Sequence, residues 1–200
     1  MLNQIATILE QAVDRIGLIE QWDGVVRRVT VKGETFPVSC TDPTACSKEH
    51  YRKAVPNQDL NGLAYVEQRG PAQVGTREAY GYTMTYPVRL IMWINAGKQS
   101  IPNCSDVIAQ AELNVLTCLM MQKAITPTFS SKPINATISN IKVLAKTPGE
   151  IFQGLAYNDQ AALYVWPYAY TAIDCEIIFE IPANCITAVA ATVAENCIEY

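Results

Sequence analysis

Every even position from Tyr80 to Ile94 is aromatic or aliphatic (Tyr80, Tyr82, Met84, Tyr86, Val88, Leu90, Met92, Ile94), while the odd positions hold Gly81, Thr83, Thr85, Pro87 and Arg89. Side chains alternate between the two faces of a strand, so period two over this length predicts a long β-strand with one buried face. At ~3.3 Å per residue such a strand reaches roughly 50 Å, beyond the usual length, which predicts that part of it leaves the core as an arm. Pro87 has no N–H to give a ladder and is expected at a bulge or an exposed edge. An exposed edge is a place where another chain can add a strand.

The rest of the pattern divides into helical and extended segments. Leu2, Ile5, Ile8, Leu9, Ala12, Val13 and Ile16 recur at three- and four-residue steps, which predicts an opening amphipathic helix stopped by Gly17. Val25 to Val31 and Thr35 to Cys40 are β-rich, and Lys32-Gly33-Glu34 supplies the glycine of a tight hairpin between them. From Thr41 to Asn61 the pattern lapses into Asp, Pro, Lys and Asn, which predicts a long loop projecting from the core. A short strand at Leu63 to Glu67 and a turn at Arg69-Gly70-Pro71 come next.

After the long strand, Ser105 or Asn103 can cap a helix running to about Lys123, with so many apolar residues that burial on most sides is expected. Ile138 to Leu144 reads as a strand, Thr147-Pro148-Gly149 as a turn, and Glu150 to Asn158 as a short helix. Ile173, Cys175, Ile177, Phe179 and Ile181 alternate with Asp174, Glu176 and Glu180, a strand with one wet face that Pro182 ends. The apolar tail from Ile186 to Tyr200 fits a helix or a strand equally. Together these elements predict an α+β fold: one domain over residues 1–200, a mainly antiparallel sheet against two helices, a projecting loop at 41–61 and a C-terminal extension at 182–200.

Composition adds a surface to this picture. Half of the residues are hydrophobic and 17% are charged, below the roughly 25% of ordinary soluble domains. Ten tyrosines stand beside only 34 charged residues, a balance that suits a surface partly covered by partners. A net charge of -4, with only Arg27, Arg28 and Lys32 close together, argues against broad nucleic-acid binding. The first residues lack the basic and apolar segments of a secretory signal, and no stretch approaches the roughly 18 apolar residues of a membrane span, so a chain made in the cytoplasm is expected.

Candidate chemistry is sparse. The seven cysteines (40, 46, 104, 118, 175, 185, 197) form an odd set without a C-x2-C pair, and Cys118 and Cys175 read as buried hydrophobes. Cys40, Cys46 and His50 have a C-x5-C-x3-H spacing, but a structural zinc site wants four ligands and a tighter first pair, so no metal and no cofactor is expected. His50 is the only histidine and has no nucleophile setting beside it. Asp174 and Glu176 share a strand face, where solvent is their simplest surroundings. Neither phosphate-binding glycine motif occurs.

The order of amphipathic helix, β-ribbon with a long loop, long strand (Tyr80 to Asn95), apolar helix (105 to 123) and closing strand (Tyr170 to Ile181) resembles the tail-terminator and neck proteins of tailed bacteriophages. The Cys- and Tyr-rich style is similar to proteins of phages that infect Bacteroidetes, including the crAss-like group. The resemblance carries over no catalytic residue. It implies a virion subunit, assembled in the host cytoplasm into a six- or twelvefold ring stacked between portal or adaptor proteins and the tail. DNA would pass through the lumen of that ring without being read. The chain departs from a typical terminator in length, with extra material at 40–75 and 182–200, so a specialised connector ring fits as well. On this reading contacts fall on Tyr80, Tyr82, Tyr86 and the 41–61 loop with His50 and Tyr51. Two other classes stay open: a small adaptor binding one partner, and a metal- or thiol-dependent enzyme built on Cys40, Cys46 and His50.

Overall fold

The computed structural model describes residues 2–14, 16–40, 51–77, 81–99, 104–121, 128–129, 132–144, 147–158, 160–165 and 167–182. Helix α1 (Leu2–Asp14) buries Ile5, Ile8, Leu9, Ala12 and Val13, the stripe that the three- and four-residue spacing marks. Strands β1 (Gln21–Val31) and β2 (Glu34–Cys40) form the expected ribbon. Lys32 (φ 53) and Gly33 (φ 85) both take left-handed conformations, the mark of a type I′ turn, whose twist matches the strands it joins. Then come β3 (Tyr51–Lys53), β4 (Gly62–Gln68), β5 (Gln73–Arg77), β6 (Gly81–Asn95) and helix α2 (Cys104–Met121). The short strands β7 (Thr128–Phe129) and β8 (Lys132–Pro133), β9 (Asn135–Val143), the one-turn helix α3 (Pro148–Ile151), a single 3-10 turn (Ala161–Leu163) and β10 (Tyr168–Pro182) complete the order.

These elements make an α+β fold with a mostly antiparallel open sheet. Its strands run β3-β2-β1-β4-β6-β10-β9, with β5 also on β6, and among the described strands only the β1–β4 pair is parallel. Among the described residues β7 and β8 pair separately.

The long strand differs from expectation in two respects. It is not an arm: β10 pairs with it along its whole length, from Tyr168 opposite Asn95 to Pro182 opposite Gly81. On its other edge β4 covers Val88 to Ile94 and β5 covers Gly81 to Thr85. Pro87 therefore lies in an interior strand, at the break between β4 and β5. Its carbonyl accepts from the Arg69 N–H at 2.8 Å. A strand residue turns its N–H and C=O to the same neighbour, so the donor that proline lacks faces the crossover at 69–72, where no ladder needs it.

The second difference is burial. The expected single buried face is not kept: in the outer half of β6 Tyr86 alone is buried and Tyr82 is exposed, whereas Val88 to Asn95 are all buried. Val88, Leu90, Met92 and Ile94 join α1 and α2 in one core. Ile91 joins a second core on the opposite face with Leu63, Tyr65, Ala172, Ile151, Phe152, Leu155 and Tyr157. Among the described residues that second core is closed by short turns and not by a long helix. Of the segment expected to be helical at 150–158, only its start, to Ile151, is helix.

The loop expected to project is partly drawn in. Residues 51–53 are strand β3 on β2, the Ala54 N–H donates to the Pro37 carbonyl at 2.9 Å, and Ala54 is fully buried. Residues 41–50, and the extension from 183 onward, lie outside the described residues. Helix α2 is corrected too: it buries Val107, Ile108, Ala111, Val115, Cys118 and Leu119 but leaves Leu113, Met120 and Met121 at 65%, 61% and 77% exposure.

Candidate functional site

Register places four charges in one row across the sheet: Glu67 lies opposite Arg89, Arg89 opposite Asp174, and Asp174 opposite Lys142. Glu67 and Arg89 are buried. A buried charge must be paired, and here Arg89 forms a fork on Asp174, Nε to Oδ1 at 2.7 Å and NH2 to Oδ2 at 2.9 Å. Its third nitrogen, NH1, donates to the Glu150 carbonyl at 3.2 Å, which ties α3 onto the sheet. The hydrogen bond to Asp174 holds the Arg89 guanidinium above its ordinary value.

From β1, Arg28 reaches Glu67 Oε2 at 2.9 Å and the Gln153 carbonyl at 2.7 Å. Arg69 stands 3.7 Å from the same Oε2. Burial, together with the neighbouring Arg89, lowers the Arg69 pKa from its ordinary value. Arg69 lines two clefts. One, of about 410 Å³, has Val25 to Arg28 on one wall and Glu67 to Gly70 on the other; the second, of about 310 Å³, reaches Asn140, Lys142, Asp174 and Glu176. Asp174 and Glu176 stay partly exposed on the wet face of β10, but each is engaged: Asp174 is forked by Arg89, and Glu176 accepts from Asn140 Nδ2 at 2.6 Å.

Beneath this row the Tyr65 and Tyr157 hydroxyls meet at 2.8 Å. Burial raises the pKa of both above the ordinary value, so both hydroxyls keep their protons at neutral pH. The arrangement offers guanidinium donors for an anionic group, with the sheet holding them in place.

A wider groove of about 590 Å³ separates the first turn of α1 from β1, β2 and β3. Gly24, at φ +61, sits where the β1–β4 register shifts between Trp22 and Val25. At this bulge the Asp23 side chain is fully buried, accepting from Gln21 Nε2 at 2.8 Å, from Ser39 Oγ at 3.4 Å and from Arg52 NH2. This cluster ties the edge strand β3 to β1.

The residues expected at contacts are dispersed. Tyr51 on β3 and Tyr82 on β6 are exposed, at 48% and 42%, but β2, β1 and β4 lie between their strands. Tyr86 is only 7% exposed, its ring edge-on to Phe179 at 5.7 Å, and it has little surface to offer a partner. Tyr80, His50 and Cys46 lie outside the described residues. Cys40 is exposed at the end of β2. Among the described residues no group of three or more His, Cys, Asp or Glu is placed to hold a metal ion, and no helix is long and apolar enough to cross a membrane.

Cys118 and Cys175 are buried as their apolar neighbours suggest. Burial, reinforced by Asp174 and Glu176, pushes the Cys175 thiol from 9.0 up to about 12. Because the folded value is the higher one, the stability this thiol contributes is complete below pH 9 and is lost as pH rises toward 12. Iodoacetamide at about pH 8 is expected to alkylate Cys40 in the native protein and to spare Cys118 and Cys175 until denaturant is added. Peptide mass spectrometry reads each position, and rapid native alkylation of Cys175 would contradict its burial.

The charge row was invisible to pattern reading because Arg89 falls among the odd positions of β6 that begin as Gly and Thr. The available signal was Ile91 and Trp93, two apolar residues at odd positions just beyond it. Neither a scan against protein-family models nor a search of curated proteins returns a match.

Proposed function

We propose that this protein is a structural subunit that works by association, forming a ring with copies of itself in the head-tail connector or neck of a tailed-phage virion and joining portal or adaptor proteins to the tail. The observation that carries association is the outer face of α2. Leu113 and Met120 lie seven residues apart on one side of the helix, with the partly buried Leu116 between them and Met121 beside them. An apolar helix face held in water is unfavourable by ~1.5–3 kcal/mol for each large side chain that a partner would cover. The ring and its place in a virion rest on the resemblance in element order and on the Tyr-rich, charge-poor composition.

Native mass spectrometry of the reduced protein over a concentration series tests this. A closed six- or twelvefold species is expected, and the double substitution L113E/M120E is expected to shift the population at least about tenfold toward monomer while circular dichroism stays native. A wild-type chain that remains monomeric at every concentration would favour the adaptor that binds a single partner.

A further inference from the structure

The ribbon and the sheet part company at one point, and among the described residues no strand fills either side of the parting. β4 pairs with β1 only as far as Glu67 opposite Val26, after which the chain turns away through Arg69 to Ala72 and resumes as β5. β1 continues five residues further, to Val31, paired with β2 on one edge and with no described strand on the other. Among the described residues β5 likewise pairs with β6 alone. Both continue in the direction of β4, since β1 is parallel to β4 and β5 shares with β4 an antiparallel partner.

Which backbone groups are left open follows from the turn. In a two-residue hairpin the flanking residues exchange hydrogen bonds, so Val31, Val29 and Arg27 turn their N–H and C=O groups to β2. Arg28 and Thr30 turn theirs to the open edge. Val29, Val31 and Val74 are exposed around it, at 39%, 49% and 68%.

The cleft at the base of the fork carries Arg27, Arg28 and Arg69 against the single carboxylate of Glu67, a local excess of positive charge in a chain whose net charge is -4. Arg69 makes no side-chain hydrogen bond among the described residues, its only ion pair being the 3.7 Å approach to Glu67. We propose that this fork binds an extended, acidic segment of a partner protein, which adds a strand to the free edge of β1 and sets a carboxylate against Arg69 and Arg28. The inference deepens the association reading above and rests on it, but it names a surface separate from α2. Main-chain pairing with Arg28 and Thr30 supplies affinity, and the arginines select acid over amide or base.

The probe is a fluorescein-labelled, end-blocked heptapeptide of alternating glutamate and valine, with its glutamine and lysine analogues, followed by anisotropy on the full-length reduced protein. The glutamate peptide is expected to bind and to slow hydrogen exchange across 28–31. Its affinity is expected to fall about tenfold or more with R69Q, with T30P, or with glutamine in place of glutamate. T30P removes an N–H that faces the open edge, so the β2 ladder stays intact. L113E/M120E is expected to bind the peptide unchanged, which separates failure of this site from failure of assembly through α2. Absence of binding, equal binding of the lysine peptide, or indifference to R69Q and T30P would overturn the proposal. So would exchange at 28–31 that slows with protein concentration alone, because a second copy would then occupy the edge.

Discussion

Replacing Arg89 by leucine is expected to destabilise the fold by about 3–5 kcal/mol, the range for removing one partner of a buried ion pair. The side chain of Arg89 is 6% exposed and that of Asp174 31%, so the loss falls on a carboxylate that water reaches only partly. The substitution also strips the Glu150 carbonyl of its donor and loosens α3 from the sheet. The double substitution R89L/D174L is expected to recover most of the loss, because two apolar side chains of suitable volume can replace a buried pair at little net cost. Guanidinium denaturation of the two variants checks this, with an unchanged slope showing that the unfolded state is the same. A cost below about 1 kcal/mol for R89L would mean that the pair behaves like a surface one.

Phe152→Ala is expected to cost a further distinct 3–5 kcal/mol, roughly the usual penalty for emptying a buried aromatic site. Phe152 is 1% exposed, and its ring centroid lies 5.5 Å from Tyr157, 5.3 Å from Tyr164 and 5.5 Å from Tyr170. Among the described residues no long helix backs this cluster, so the cavity would be walled by turns whose order depends on the ring. The near-UV circular dichroism of the tyrosines is therefore expected to collapse at a lower denaturant concentration than the far-UV signal of the helices. Coincident transitions with an unchanged midpoint would show that the turns hold the second face without Phe152.

How legible each element was depends on how local its cause is. Helix α1 was readable because Ile5, Ile8, Leu9, Ala12 and Val13 record one face within thirteen residues. The β1–β2 ribbon was readable because Gly33 marks a tight turn between two β-rich runs, and the alternation from Ile173 to Ile181 recorded the wet and dry faces of β10. The α+β class followed from these. Helix α2 was readable as a helix, but its burial was not: apolar residues all round describe a buried helix or one waiting for a partner in the same way.

The candidate site was least legible. Arg89 and Asp174 meet across 85 positions of sequence, and Arg28 and Glu67 across 39. Periodicity tells which face of a strand a residue occupies and says nothing about which strand lies alongside or what covers that face. By itself the sequence determined the local elements and the place of the turn that joins the ribbon, because those depend on neighbouring residues and on the permitted angles of glycine. Only the tertiary structure decided that the long strand is interior, that both its faces are buried near its end, and that no other described strand pairs with the far edges of β1 and β5, because strand pairing is settled by contacts between residues far apart in the chain.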